Sequence, residues 1–495
     1  MYKKIVLIAL ILTITSTLVS PIVAGSNSKV IYTTGRIVDG PQIQINVNIN
    51  EIIDQNNLKL GFNLDWDRWK SFVDRPVQRQ LAQETNPNLI RIFDFRKTSQ
   101  YGIPNLMPCT QWNEATKTGT WDWTYIDQIT NAIFSVGAEP IFCLGWAYYY
   151  GDIQRFLPSG MEINPTTGLP YPDSYAAYAT EWVKHFKATG QPVRFYEIMN
   201  EPYYYFGWNG QNSQRLGYYV ELWNTAAISM RQENPNVLLS NDAIDQKNVL
   251  DYWIVNGERV DFVDFHKYDA NSIGEYTEEE MFSRAERIYF DTTTTYYGIA
   301  DAKQKILNTW GKNALAICSE LNYNSGWETG TDPKIAQMTG AVWLALVLRT
   351  GILKDLDYST YFEFSSSKAL EVDIGSESSG FGLINNDDNQ PWYPYYVYKM
   401  IGANLEVGDN ILQVDSSSTD VRSIAWTHNG KINLLIISKS NDNMMINING
   451  LSGQANYLKI DNTYSHLNPQ LQTGIIDTEN SHQIQGYTVE LIQFQ

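Results

Sequence analysis

The chain of 495 residues is 43% hydrophobic, enough to bury a large core, which excludes disorder as its default state. Its formal net charge of −18 sets it against nucleic acid and anionic membrane surfaces, whose phosphates would repel it. Three cysteines, Cys109, Cys143 and Cys318, are too few for a disulfide framework and give zinc or iron ligation no support. Cys143 and Cys318 lie in apolar runs and are expected as buried free thiols.

In chain order, Lys3 and Lys4 precede an apolar run over 5–19, and small residues follow up to Ala24. This pattern predicts a signal peptide over 1–24, a secreted or extracellular location, and no membrane attachment of the mature form. Residues 27–53 alternate apolar and polar positions, as in Gln42-Ile43-Gln44-Ile45-Asn46-Val47. That is the period of a strand with one buried face, and residues 25–57 are expected to join an accessory sheet.

Eight short apolar runs follow, at 58–64, 89–95, 139–146, 194–200, 237–241, 261–267, 314–320 and 359–364. Helical periods fall between them at 76–84, 123–136, 171–187, 215–232 and 335–350. Strand-helix alternation on this scale over 58–400 predicts an α/β fold, a (β/α)8 TIM barrel. A doubly wound sheet is set aside because no glycine-rich phosphate loop follows the first strand. From about residue 406 the helical period disappears. Alternating runs at 421–426, 432–438, 444–449 and 486–494, separated by Asn, Asp, Gly and Ser, predict a small C-terminal antiparallel β-sandwich domain over 401–495.

Two strand ends carry the chemistry. Phe195-Tyr196-Glu197-Ile198-Met199-Asn200-Glu201-Pro202 places Glu201 at the C-terminal tip of the fourth strand, the rim that bears active sites in this fold. Pro202 is expected to hold Glu201 extended. Ala314-Leu315-Ala316-Ile317-Cys318-Ser319-Glu320 places a second acid at the tip of the seventh strand, across the barrel mouth. Two carboxyls about 5–5.5 Å apart are what retaining glycoside cleavage requires, one as nucleophile and one as proton donor.

Asn200-Glu201-Pro202 on a fourth strand with Glu320 on a seventh resembles clan A of the glycoside hydrolases. The resemblance spans 58–400. It implies that Glu201 is the acid/base, that Glu320 is the nucleophile, and that Asn200 holds the substrate's 2-hydroxyl. It further implies that Arg91, in Ile90-Arg91-Ile92, orients the nucleophile, and that His266 and Tyr268, in Phe265-His266-Lys267-Tyr268, sit beside it. All three are expected within reach of Glu320, favouring its ionised form. Within the clan the chain is most similar to families with a trailing β-domain, notably family 39. Phe381-Gly382-Leu383-Ile384-Asn385 and Pro391-Trp392-Tyr393 resemble its return segment. The third strand ends Leu144-Gly145-Trp146, where family 5 carries a nearby His, and the eighth carries Phe362-Glu363-Phe364 in place of the clan's usual Trp.

Aromatic residues crowd the predicted rim, among them Trp146, Tyr203, Trp208 and Trp327, and are expected to include sugar-stacking platforms. Together these readings predict a glycosidase that cleaves β-linked glycans through a covalent glycosyl-enzyme, with a hemicellulose or β-glucan as substrate and no cofactor. Transglycosylation by the same intermediate and a non-catalytic carbohydrate-binding surface protein stand as alternatives.

Overall fold

The computed structural model describes residues 42–494 except 65–67, 94, 96–105, 147–152, 288, 327–330, 367–379 and 466. Eight parallel strands form the barrel: Lys59–Asn63, Leu89–Ile92, Glu139–Cys143, Phe195–Glu197, Leu238–Ser240, Phe262–Ala270, Leu315–Asn324 and Tyr358–Tyr361. Numbered in that order they neighbour one another as 5-4-3-2-1-8-7-6. The ring closes between the fifth and sixth strands, where Asp261 N–H donates to Leu239 O at 2.8 Å and Ser240 Oγ to Phe262 O at 2.6 Å. Helices cover the outside, so both strand faces are buried. Such strands read as near-continuous apolar runs rather than as alternation.

Inside, side chains point inward at every second residue. Leu89, Ile141, Phe195, Phe262, Ile317 and Tyr358 form one apolar layer. Two residues further along the same strands stand Arg91, Cys143, Glu197, Asp264, Ser319 and Thr360, all buried. A polar layer therefore rests on an apolar floor, directly beneath the C-terminal mouth.

The helices expected after the first four strands and the seventh are found at Pro76–Glu84, Thr124–Ser135, Pro172–Thr189, Ser213–Glu233 and Met338–Leu353. Six more among the described residues were not anticipated: Arg68–Asp74, Tyr203–Phe206, Lys247–Asn256, Glu278–Ala285, Ile299–Trp310 and Tyr393–Gly402. The last follows the eighth strand and is rich in Tyr, a weak helix former. It stands because Tyr395, Val397, Tyr398 and Ile401 are buried against the barrel, with Pro394 in its first turn.

Past the barrel, eight strands from Asn410–Ser416 to Val489–Phe494 and the early strand Ile43–Gln55 form one nine-stranded, mostly antiparallel sheet. Ile43–Gln55 pairs antiparallel with Asn410–Ser416 and parallel with Met444–Asn449. The sheet curls over its own core, since Ile45, Leu412, Leu434, Ile446, Ile476, Ile484 and Ile492 from strands along its whole width meet in one cluster. The alternate residues Ile424, Trp426, Leu435, Ile437 and Leu491 join the barrel's core instead. Glu286 fastens the same boundary, with Arg422 at 2.6 Å, Lys439 at 3.5 Å and Arg349 at 3.7 Å.

All three cysteines are buried and unbridged. Among the described residues no helix is long and apolar enough to cross a membrane.

Candidate active site

Arg91 organises the polar layer. Its Nε donates to both oxygens of Glu197 at 3.0 and 2.9 Å, and Nη2 donates to Glu197 Oε2 and Asn200 Oδ1, each at 2.6 Å. Nη1 donates to Glu320 Oε1 at 2.7 Å and to Asn63 Oδ1 at 3.2 Å. Every guanidinium N–H thus has a partner, and the fork-on-carboxylate contact with Glu197 fixes its plane. Burial works against its charge, but the charges of Glu197 and Glu320 outweigh burial and hold Arg91 firmly protonated.

Glu320 reaches the mouth through a bulge. Pairing between the sixth and seventh strands runs Cys318 with Phe265 and then Glu320 with His266, so Ser319 is an extra residue. Such an insertion re-aims side chains. Here it lets the consecutive residues Ser319 and Glu320 both serve the lumen, Ser319 beside Asp264 and Glu320 beside His266. Glu320 Oε2 accepts from the Tyr268 hydroxyl at 2.7 Å and lies 3.5 Å from His266 Nδ1. Arg91, His266 and Tyr268 therefore all touch Glu320, as expected. Their net electrostatic effect differs from the expectation. Burial pushes Glu320 up from the usual carboxylate range, and the opposing His266 and Arg91 charges and the Tyr268 hydrogen bond only partly offset it.

Glu201 stands opposite. Its carboxylate accepts from the Tyr203 hydroxyl at 2.6 Å and lies 3.3 Å from His266 Nδ1. One nitrogen of His266 thus faces both acids. One oxygen of Glu201 and one of Glu320 lie within 4.8 Å of each other and of that nitrogen. A metal would accept this spacing, but the Arg91 guanidinium already supplies positive charge against Glu320.

The backbone at Glu201 departs from the expected extended form. Its φ is 47°, and Met199 has φ 68°, both in the left-handed region that non-glycine residues rarely adopt. Pro202 disfavours a right-handed helical Glu201, yet it does not prevent a left-handed turn. Two hydrogen bonds hold that turn: Asn200 N–H to Gly145 O and Glu201 N–H to Asp242 Oδ2, each 2.8 Å.

Of the expected aromatic platforms, Trp146 lies at the mouth, bridged to Asn200 and packed edge-on against Phe93 at 5.7 Å. Tyr203 is buried, with its hydroxyl committed to Glu201. Trp208 is 42% exposed, as is Tyr204 beside Tyr203. Trp327 lies outside the described residues. Phe362, in the eighth-strand segment Phe362-Glu363-Phe364, is grouped with Phe93 and Cys143 at the mouth and packs edge-on against Tyr268 at 6.1 Å.

Sequence reasoning missed Asn63, Glu197, Asp242 and Asp264. Three of them were within reach of the barrel period: Glu197 and Asp264 fall two residues after inward-facing Phe195 and Phe262, and Asn63 two after Gly61 on the first strand. Burial raises Asp242, with His266 opposing it. Burial and the charges of Glu197 and Asp242 raise Asp264 strongly.

No family model matches the sequence and no curated protein matches it. Solved structures do share its fold. A monomeric beta-xylosidase from Caulobacter crescentus CB15 aligns with 91% of this chain and 99% of its own at TM-score 0.61 and 15% identity. The GH39 enzyme from Xanthomonas axonopodis pv. citri aligns over 92% and 98% at TM-score 0.61 and 15% identity. An alpha-L-arabinofuranosidase from Thermotoga maritima aligns over 91% and 99% at TM-score 0.61 and 14% identity. The chain thus has the fold of these proteins, a TIM barrel with an added β-domain.

Proposed function

We propose that the protein is a retaining glycoside hydrolase acting on β-linked glycans. The observation that carries this reading is the pair Glu201 and Glu320, whose nearest oxygens lie within 4.8 Å at the C-terminal mouth of the barrel. That closeness suits direct attack by a carboxylate better than the about 6.5–9.5 Å between carboxyl groups that an inverting enzyme uses to seat a water. Glycosidases among the structures of the same fold support the class.

In the first step Glu320 attacks the anomeric carbon while Glu201 delivers its proton to the departing glycosidic oxygen. The C–O bond to the leaving group breaks and a glycosyl ester forms on Glu320. In the second step Glu201, now a carboxylate, takes a proton from water, whose oxygen displaces Glu320 and regenerates the pair. Arg91 and Tyr268 each hold one oxygen of Glu320, which orients the nucleophile. Asn200 accepts from Arg91 through its side-chain oxygen, which leaves its amide N–H groups as donors for a sugar hydroxyl. The exposed ring of Trp208 lies on the Glu201 side, 4.8 Å edge-on from Tyr203, which suits an aglycone sugar. Arg68, 3.4 Å from Glu363, and Asn322, which donates to Phe362 O, brace the eighth-strand tip.

The test is Glu201→Ala on aryl glycosides of graded leaving-group acidity, after a screen of xylan, mannan, β-glucan and aryl β-xylosides, β-glucosides and α-L-arabinofuranosides. The loss in kcat/KM should be about 10²–10⁴-fold for poor leaving groups and small for dinitrophenyl glycosides, which depart without a proton. Equal losses across the series would remove Glu201 from the acid/base role.

A further inference from the structure

Asp242 follows the fifth strand and is buried, yet a single oxygen of it meets two parts of the site. Oδ2 accepts from the main-chain N–H of Glu201 at 2.8 Å and lies 3.0 Å from His266 Nε2. The other ring nitrogen of His266 stands 3.3 Å from Glu201 and 3.5 Å from Glu320. We propose that Asp242 is the positioning residue of the carboxylate pair: it pins the left-handed Glu201 backbone directly and, through His266, spans the gap between the two acids. The proposal takes the glycosidase reading as its starting point and adds a residue that need touch no substrate.

Two features make the arrangement more than incidental packing. A non-glycine residue at φ 47° is strained unless its surroundings fix it, and the Asp242 carboxylate is an acceptor for the N–H of that residue. Glu320 must be ionised to attack and Glu201 becomes ionised once its proton has left, and a positive group between them stabilises either charge. His266 is that group only while it carries its second proton. The groups facing it are Glu201 from the fourth strand tip, Asp242 and Asp245 from the segment after the fifth strand, and Glu320 from the seventh. Arg91 stands behind Glu320, and Asp264 and Tyr268 flank His266 on its own strand. Burial would strip the proton, but the charges of Glu320 and Asp242 outweigh burial and keep the imidazole protonated well above its ordinary range.

The experiment follows the histidine ring carbon and nitrogen signals of the full chain by NMR, in the wild type, Asp242→Asn and Asp242→Ala. Five histidines are present, and His266→Gln identifies the signal. Wild-type His266 should remain an imidazolium from about pH 5 to pH 8, above the ordinary value of about 6.5. Asp242→Asn keeps an oxygen for the Glu201 N–H and removes the charge, so the His266 midpoint should fall by about one unit or more. In the same variant the pH profile of kcat should shift with that midpoint while KM holds. Asp242→Ala loses both contacts, and its kcat should fall by a further factor of about 10², which Asp242→Asn recovers at acidic pH. An unmoved His266 signal in Asp242→Asn, or equal and pH-independent losses in the two variants, overturns the proposal. The NMR arm needs no substrate: a shifted His266 in a chain inactive on all glycosides would sink the glycosidase reading and leave the Asp242 contact standing.

Discussion

Glu320→Ala is expected to lower turnover on every substrate by about 10⁴-fold or more, because no covalent glycosyl-enzyme can form without its carboxylate. The loss should not depend on the leaving group, in contrast to Glu201→Ala, since attack at the anomeric carbon is needed however readily the aglycone departs. Shortening the side chain opens a space lined by Arg91 Nη1 and the Tyr268 hydroxyl, the groups that hold the Glu320 oxygens at 2.7 Å. Azide or formate should enter that space and attack the sugar directly, restoring part of the rate on activated glycosides with inversion at the anomeric centre. Activity within tenfold of the wild type, or a rescued product of retained configuration, would contradict the role given to Glu320.

Arg91→Met is expected to destabilise the protein by about 3–5 kcal/mol, the usual cost of removing one partner from a buried ion pair. Arg91 is fully buried and serves Glu197, Glu320, Asn200 and Asn63. Its loss strands two carboxylates in the barrel interior and frees Asn200. Arg91→Lys should recover little, because an ammonium has three donors on one atom and cannot span acceptors held by a planar fork. Adding Glu197→Gln to Arg91→Met should return part of the stability by removing one stranded charge. Denaturant unfolding of the four proteins measures this. A change below about 1 kcal/mol for Arg91→Met would mean that the guanidinium network does not hold the polar layer together.

The legible parts of this molecule are those governed by a single period or by a residue type at a strand end. The eight barrel strands and five of the helices could be read because apolar runs and helical stripes repeat locally. Glu201 and Glu320 could be picked out because each ends an apolar strand run, and Arg91, His266 and Tyr268 because their segments resemble those of clan A. Glu278–Ala285 carried a readable capping signature, Thr277 with Glu280, realised in the structure as a capping box. Tyr393–Gly402 had no such signal, since its residues favour strands and only tertiary burial makes it a helix.

Within the site, what escaped depends on three dimensions. The bulge at Ser319 shifts register by one residue and leaves no mark in composition. Asp242 is remote in sequence from both residues it contacts, and an acid after a short strand is common. The left-handed turn at Glu201 results from that remote acceptor, so Pro202 alone pointed to the wrong conformation. For Glu320, its charged and hydrogen-bonding partners could be named in advance, whereas the burial that opposes them becomes apparent only when the barrel closes.

The central claim is double displacement on Glu320, and the configuration of the first product tests it most directly. Wild-type protein should be mixed in deuterated buffer with an aryl β-glycoside it cleaves, and the anomeric proton of the released sugar followed by NMR before mutarotation. Two successive displacements predict that the β-anomer appears first and the α-anomer grows in later. First appearance of the α-anomer would mean a single displacement by water, incompatible with a nucleophilic Glu320 at the spacing seen here.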